Sequence, residues 1–161
     1  MQANDGDGVY GLALAADESR LYAAGGDGKV TVWAFPAGER LDVLTGHSGA
    51  VRSVVVLPAG GLVSAGEDGS VRLWDVKAKT ARSLLGHSGA VAQAVATPDG
   101  RRVVSAGGDG TVRVWDVATG QETWRFTGHR GAVLGVAVVD QGRKAVSCGQ
   151  DGTVRLWELP R

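Results

Sequence analysis

"AGEDGSVRLWDV", residues 65–76, joins an acidic pair, a glycine turn and a tryptophan-aspartate end. With Ser64 just upstream and His47 further back, the ingredients of a Ser-His-Asp catalytic group are present. Whether this is chemistry or architecture turns on how often it occurs. Asp-Gly returns as Asp27-Gly28, Asp68-Gly69, Asp109-Gly110 and Asp151-Gly152. Six residues after each aspartate stands Trp33, Trp74, Trp115 or Trp157, a period of 41, 41 and 42 residues. Gly46-His47, Gly86-His87 and Gly128-His129 place their histidines 27 or 28 residues before the last three tryptophans. A period of this length running through the whole chain marks a repeat architecture.

Within one unit the short-range pattern is β. "AVRSVVVL", "GLVSAG" and "SVRLWDV" are short runs rich in valine and leucine, separated by "PAG" and by Asp-Gly, a strong two-residue hairpin signal. A fourth run, "RLDVL", "ARSLL" or "ETWRF", precedes each Gly-His. No stripe of 3.6-residue period lasts long enough for a helix. About four strands cannot bury their own apolar faces, so neighbouring units must stack.

Composition limits the function classes. The chain has 161 residues, 43% of them apolar, which suffices for one globular domain spanning 1–161. Seventeen basic side chains balance seventeen acidic ones, and no Lys/Arg cluster concentrates positive charge, so neither nucleic acid nor an anionic membrane is an expected partner. "MQANDGDGVYG" has neither the basic nor the apolar region of an export signal, and no window reaches the roughly 20 apolar residues that cross a bilayer. The expectation is a cytoplasmic protein. Its single cysteine, Cys148, cannot form an internal disulfide.

Glycine-histidine, about 27 residues, then tryptophan-aspartate, with a period just above 40, resembles the WD-repeat β-propellers over essentially the full chain. The resemblance implies an all-β fold: propeller blades of four antiparallel strands, four blades making half a ring, the last lacking its outer strand. The blades lie at approximately 4–45, 46–85, 86–127 and 128–161. It further implies a buried hydrogen-bonded chain in a blade, from the Asp-Gly aspartate to the histidine, to a serine of the second strand, to the tryptophan indole. Residue by residue these are Asp68, His47, Ser64 and Trp74; Asp109, His87, Ser105 and Trp115; and Asp151, His129, Ser147 and Trp157. A structural role follows physically, because each of these groups is costly to bury alone and inexpensive to bury as a satisfied chain. A nucleophilic serine would need an exposed oxygen beside an oxyanion site, and an enzyme rarely repeats one triad in three successive units.

Other chemistry fares no better. The three histidines fall in three different blades and cannot converge on one metal. "AGGDG", at 24–28 and 106–110, lacks the lysine and helix of a phosphate loop. "NDGDG" at 4–8 has Ala16 where a calcium loop needs glutamate. Cys148 stands in the slot of Ala65 and Ala106 and reads as a small buried filler, and Trp124 reads as an outer-strand packing residue. No cofactor is expected.

The first unit departs from the pattern. Asn4-Asp5 stands where Gly-His should be and Ala23 where the serine should be, so no buried polar chain is expected there. Only Met1, Gln2 and Ala3 precede it where an outer strand belongs, which reads as a truncated start with blades once lying upstream. Four blades cover about half of a ring of seven or eight. The expectation is self-association into an eight-bladed dimer, or pairing with another propeller fragment.

For function, the reading is a non-catalytic protein–protein interaction scaffold and not an enzyme, binding a protein or peptide on the face carrying the Gly-His loops. The alternative is the sensor or scaffold part of a larger multidomain enzyme with its catalytic domain upstream. The side chains on that face that differ between units are Tyr10, Arg52, Ala92 and Leu134, joined by Glu67, Arg130 and Gln150. Arg52 and Arg130 with Tyr10 would grip an acidic or phosphorylated segment. The competing reading is a solvated rim in which Glu67 neutralises Arg52.

Overall fold

A computed structural model of the chain describes residues 8–160. Strands β1 (Val9–Leu14), β2 (Arg20–Gly25), β3 (Lys29–Ala34) and β4 (Arg40–Thr45) form the first sheet. The second is β5 (Val51–Val56), β6 (Leu62–Gly66), β7 (Val71–Asp75) and β8 (Thr80–Leu84). The third is β9 (Val91–Ala96), β10 (Arg102–Gly107), β11 (Thr111–Asp116) and β12 (Glu122–Thr127). The last has three strands, β13 (Val133–Val139), β14 (Lys144–Gly149) and β15 (Val154–Glu158). All neighbours are antiparallel, each sheet is a blade with its strands in chain order, and the four blades do not close into a ring. The expected fold class, including the three-stranded last blade, is the one observed. The Asn4-Asp5 position of the first unit lies outside the described residues.

Local chemistry sets these strands. Between the second and third strands of every blade, the Asp-Gly aspartate accepts the backbone N–H two residues on, at 3.0–3.1 Å. The glycine beside it has φ between 73° and 79°, a left-handed conformation that side chains resist.

Packing runs from blade to blade. Tyr22, Ala24, Val30, Val32 and Leu44 of blade 1 meet Val51, Val54, Leu62 and Trp74 of blade 2. Val63, Ala65, Val71 and Leu84 of blade 2 meet Val91, Ala94, Val103 and Trp115 of blade 3. Val104, Ala106, Val112 and Val114 of blade 3 meet Val133, Val136 and Ala145 of blade 4. Each blade therefore has an upstream face, carrying the repeat tryptophan, and a downstream face built on the alternate positions of the same strands.

That alternation corrects one expectation. Cys148 does occupy the slot of Ala65 and Ala106, but it is exposed, not buried. The slot lies on the downstream face, and blade 4 has no blade packed there among the described residues. Trp124 sits on outer strand β12, half exposed, with its ring 6.5 Å from that of Phe126. Phe126 in turn stacks 5.1 Å from Trp157 and ties blade 3 to blade 4.

Candidate functional site

The residues that resemble a catalytic group come together in three blades. In blade 2 the Trp74 indole N–H donates to Ser64 Oγ at 2.8 Å, Ser64 Oγ lies 2.7 Å from His47 Nε2, and His47 Nδ1 lies 2.9 Å from Asp68. In blade 3 the corresponding distances are 2.8, 2.8 and 3.0 Å. In blade 4 they are again 2.8, 2.8 and 3.0 Å. Only one assignment of protons satisfies every member: a neutral imidazole donates from Nδ1 to the carboxylate and accepts the serine hydroxyl at Nε2. The serines are completely or almost completely buried, so no substrate carbonyl reaches Oγ.

The aspartate ties two loops together. Asp68 also accepts the N–H of Ser48, in the loop before the first strand, and the N–H and hydroxyl of Ser70, in its own turn. Asp109 does the same with Ser88 and Thr111, and Asp151 with Arg130 and Thr153. Burial raises the Asp68 carboxyl, but the donors of His47, Ser70 and Ser48 outweigh it and hold the pKa at about 2. Asp109 and Asp151 are held well below the ordinary carboxylate range in the same way, Asp151 chiefly by the Arg130 N–H. Burial lowers the His47 and His87 imidazoles against the opposing pull of their aspartates.

Glycine precedes each histidine for a steric reason. A Cβ on Gly46, Gly86 or Gly128 would fall 3.0–3.2 Å from the edge of the blade's tryptophan and within 3 Å of an arginine guanidinium. Those arginines, Arg72, Arg113 and Arg155, were legible as a recurring "VR" two residues before the tryptophan, yet the motif reading passed over them. Arg113 is buried and bridges Asp109 and Glu122. Blade 1 has Thr31 at that position, and there the Trp33 indole N–H donates to Thr31 Oγ1 at 3.1 Å, a substitute partner from its own strand.

The residues that differ between blades owe their position to one backbone device. In the first strand of every blade the register with the second strand slips by one residue, leaving Tyr10, Arg52, Ala92 and Leu134 unpaired. These are β-bulges, which bend the strand and re-aim the extra side chain. All four line one open cleft of about 250 Å³, with Gly11, Leu12, Ser53, Val54 and Gln93. Tyr10 and Leu134 are half exposed at its sides. The Arg52 guanidinium lies 4.4 Å from the Tyr10 ring centroid and donates from Nε to Glu67 at 3.0 Å. Arg52 is thus paired with Glu67 at the surface, the arrangement of the competing reading. Arg130 and Gln150 lie outside this cleft, exposed beside Asp151, and Arg130 does not join Arg52.

Among the described residues no group of three or more His, Cys, Asp or Glu is placed to hold a metal ion, and no helix is long and apolar enough to cross a membrane. A family model described as "WD domain, G-beta repeat" matches residues 1–34, 38–75, 78–116 and 120–158. No match is found among curated proteins.

Proposed function

From the premise that the chain belongs to the WD-repeat family, we propose that it is a non-catalytic scaffold that binds a protein or peptide segment in the cleft formed by the four bulges. WD-repeat domains generally mediate protein–protein interaction. The observation that carries the reading is the convergence of Tyr10, Arg52, Ala92 and Leu134, four unlike side chains raised by the same bulge from four otherwise repeated strands. The repeated residues form the turns, the inter-blade cores and the buried polar chains, while the bulge is a place on the exposed face where the blades differ. An aromatic ring and a leucine around an arginine paired with Glu67 favour a partner that inserts an apolar side chain and satisfies its backbone at the rim.

Glu67, Arg130 and Gln150 form the outer part of this face and adjust partner choice more than affinity. The arc of four blades works as part of a larger ring, completed by further blades. A peptide-display selection on the purified chain, repeated with Tyr10→Ala/Leu134→Ala, tests the site. Selected peptides are expected to lose at least tenfold in affinity for the double variant. Peptides that bind both proteins equally would place the binding surface elsewhere.

A further inference from the structure

Seven of the large apolar side chains exposed in this chain fall on two surfaces. Val9, Leu12, Leu14 and Phe35 lie on the upstream face of blade 1, and Val139, Val154 and Leu156 on the downstream face of blade 4. Leu12 is 63% exposed, whereas its equivalents Val54, Ala94 and Val136 are buried. Val154 is 72% and Leu156 60% exposed, whereas Val71, Val112 and Val114 at the same positions are completely buried. At the edge of the blade 4 row stands the Lys144–Glu158 ion pair, 3.3 Å apart. Apolar patches of this kind mark association surfaces.

We propose that the downstream face of blade 4 packs on the upstream face of blade 1 of a second copy, and the reverse, closing two arcs into an eight-bladed ring. The template is inside the chain: a downstream face of this sequence meets an upstream face of this sequence at each of its three internal junctions. A head-to-tail contact either closes or grows into a filament, and two four-bladed arcs reach eight, within the range in which propellers close.

The detail of the junctions favours a second copy over an unrelated arc. One row of positions on the inner strands spans each junction. Ser53 Oγ bonds the Ala94 N–H at 3.3 Å, and Gln93 Oε1 accepts the Val136 N–H at 2.9 Å. At the junction of blades 1 and 2 the residue is Gly11, where an added Cβ would stand 3.4 Å from the Val54 nitrogen, leaving no room for a longer side chain. Blade 4 carries Gly135 in this row. The residue it would face, Leu12, is the largest of the row Leu12, Val54, Ala94 and Val136, so the bulkiest member meets a glycine. Closure also completes the cleft, whose four bulged side chains become eight around one channel.

The inference rests on the reading of the arc as part of a larger ring, and its test uses no peptide ligand, so its failure leaves the cleft reading standing. Cys148 is a built-in reporter, since its equivalents Ala65 and Ala106 share buried clusters with Ala94 and Val136, the equivalents of Leu12. In analytical ultracentrifugation at micromolar concentration the chain is expected as a dimer. Leu12→Asp and Leu156→Asp, each checked by circular dichroism, are expected to raise the dimer dissociation constant at least tenfold. In Leu12→Cys a short bis-maleimide is expected to join Cys148 of one copy to the introduced thiol of the other, while the unsubstituted chain gives no Cys148–Cys148 product. A folded monomer with freely reactive Cys148, a Cys148–Cys148 product, or a dimer indifferent to both aspartates overturns the proposal.

Discussion

Blade 1 and blade 3 have the same four strands, the same Asp-Gly turn and the same buried tryptophan, but only blade 3 carries the buried polar chain. In blade 3 the indole reaches Asp109 through Ser105 and His87. In blade 1, with Ala23 at the serine position, the indole stops at Thr31. The strands and their pairing therefore do not depend on the polar chain. What the chain adds is attachment, because Asp109 holds the turn and the preceding loop through five donors in all. Blade 3 is also covered on both faces, whereas blade 1 is covered on one among the described residues.

Four measurements break or sharpen this contrast. The largest effect belongs to Trp115→Ala, which empties a nearly inaccessible site between blades 2 and 3 and is expected to cost about 3–5 kcal/mol in urea denaturation. A cost under about 1 kcal/mol would mean that the blade interfaces do not carry the fold.

His87→Ala comes next. It strands Ser105 and one acceptor site of Asp109, at about 1–3 kcal/mol, while Asp27→Asn in blade 1, whose aspartate holds Lys29 alone among the described residues, stays within about 0.5 kcal/mol. Equal costs would remove the distinction between the blades. An ester hydrolysis lost in His87→Ala at unchanged stability would overturn the structural role of the chain itself.

Acid is the third probe. His47 and His87 bind protons less readily folded than unfolded, so their contribution is present above the ordinary histidine value near 6.5 and is lost as pH falls below it. Asp68, held at about 2 when folded, adds a second loss that begins near pH 4 and continues as pH falls toward 2. Melting temperature should therefore decline in two stages between pH 7 and 3, and Asp68→Asn should flatten the lower stage. A melting temperature that rises on acidification contradicts both signs.

The smallest effect is local. Hydrogen exchange should open the amides of Leu21 to Ala24 before those of Val103 to Ala106, since among the described residues the first segment lacks both the polar chain and an upstream neighbour. The reverse order would show that the polar chain does not stiffen its blade.

The sequence by itself determined the period, the strands and the Asp-Gly turns, and its resemblance to WD repeats implied the membership of each buried polar chain. These are patterns of short range or fixed offset, and a residue at a given place in the period meets the same partners in every complete unit. It equally showed that blade 1 breaks the rule at Ala23. Tertiary structure alone decided which side of a strand is covered. Ala65, Ala106 and Cys148 share one place in the period, yet the first two are buried and the third is exposed, because burial depends on whether a further blade stands opposite. It decided that Trp33 is satisfied by Thr31, that Glu67 occupies Arg52, and that four bulges bring Tyr10, Arg52, Ala92 and Leu134 into one cleft without Arg130. Such outcomes depend on one-residue slips in strand register and on contacts across the cleft, where side chains far apart in sequence compete for the same partner.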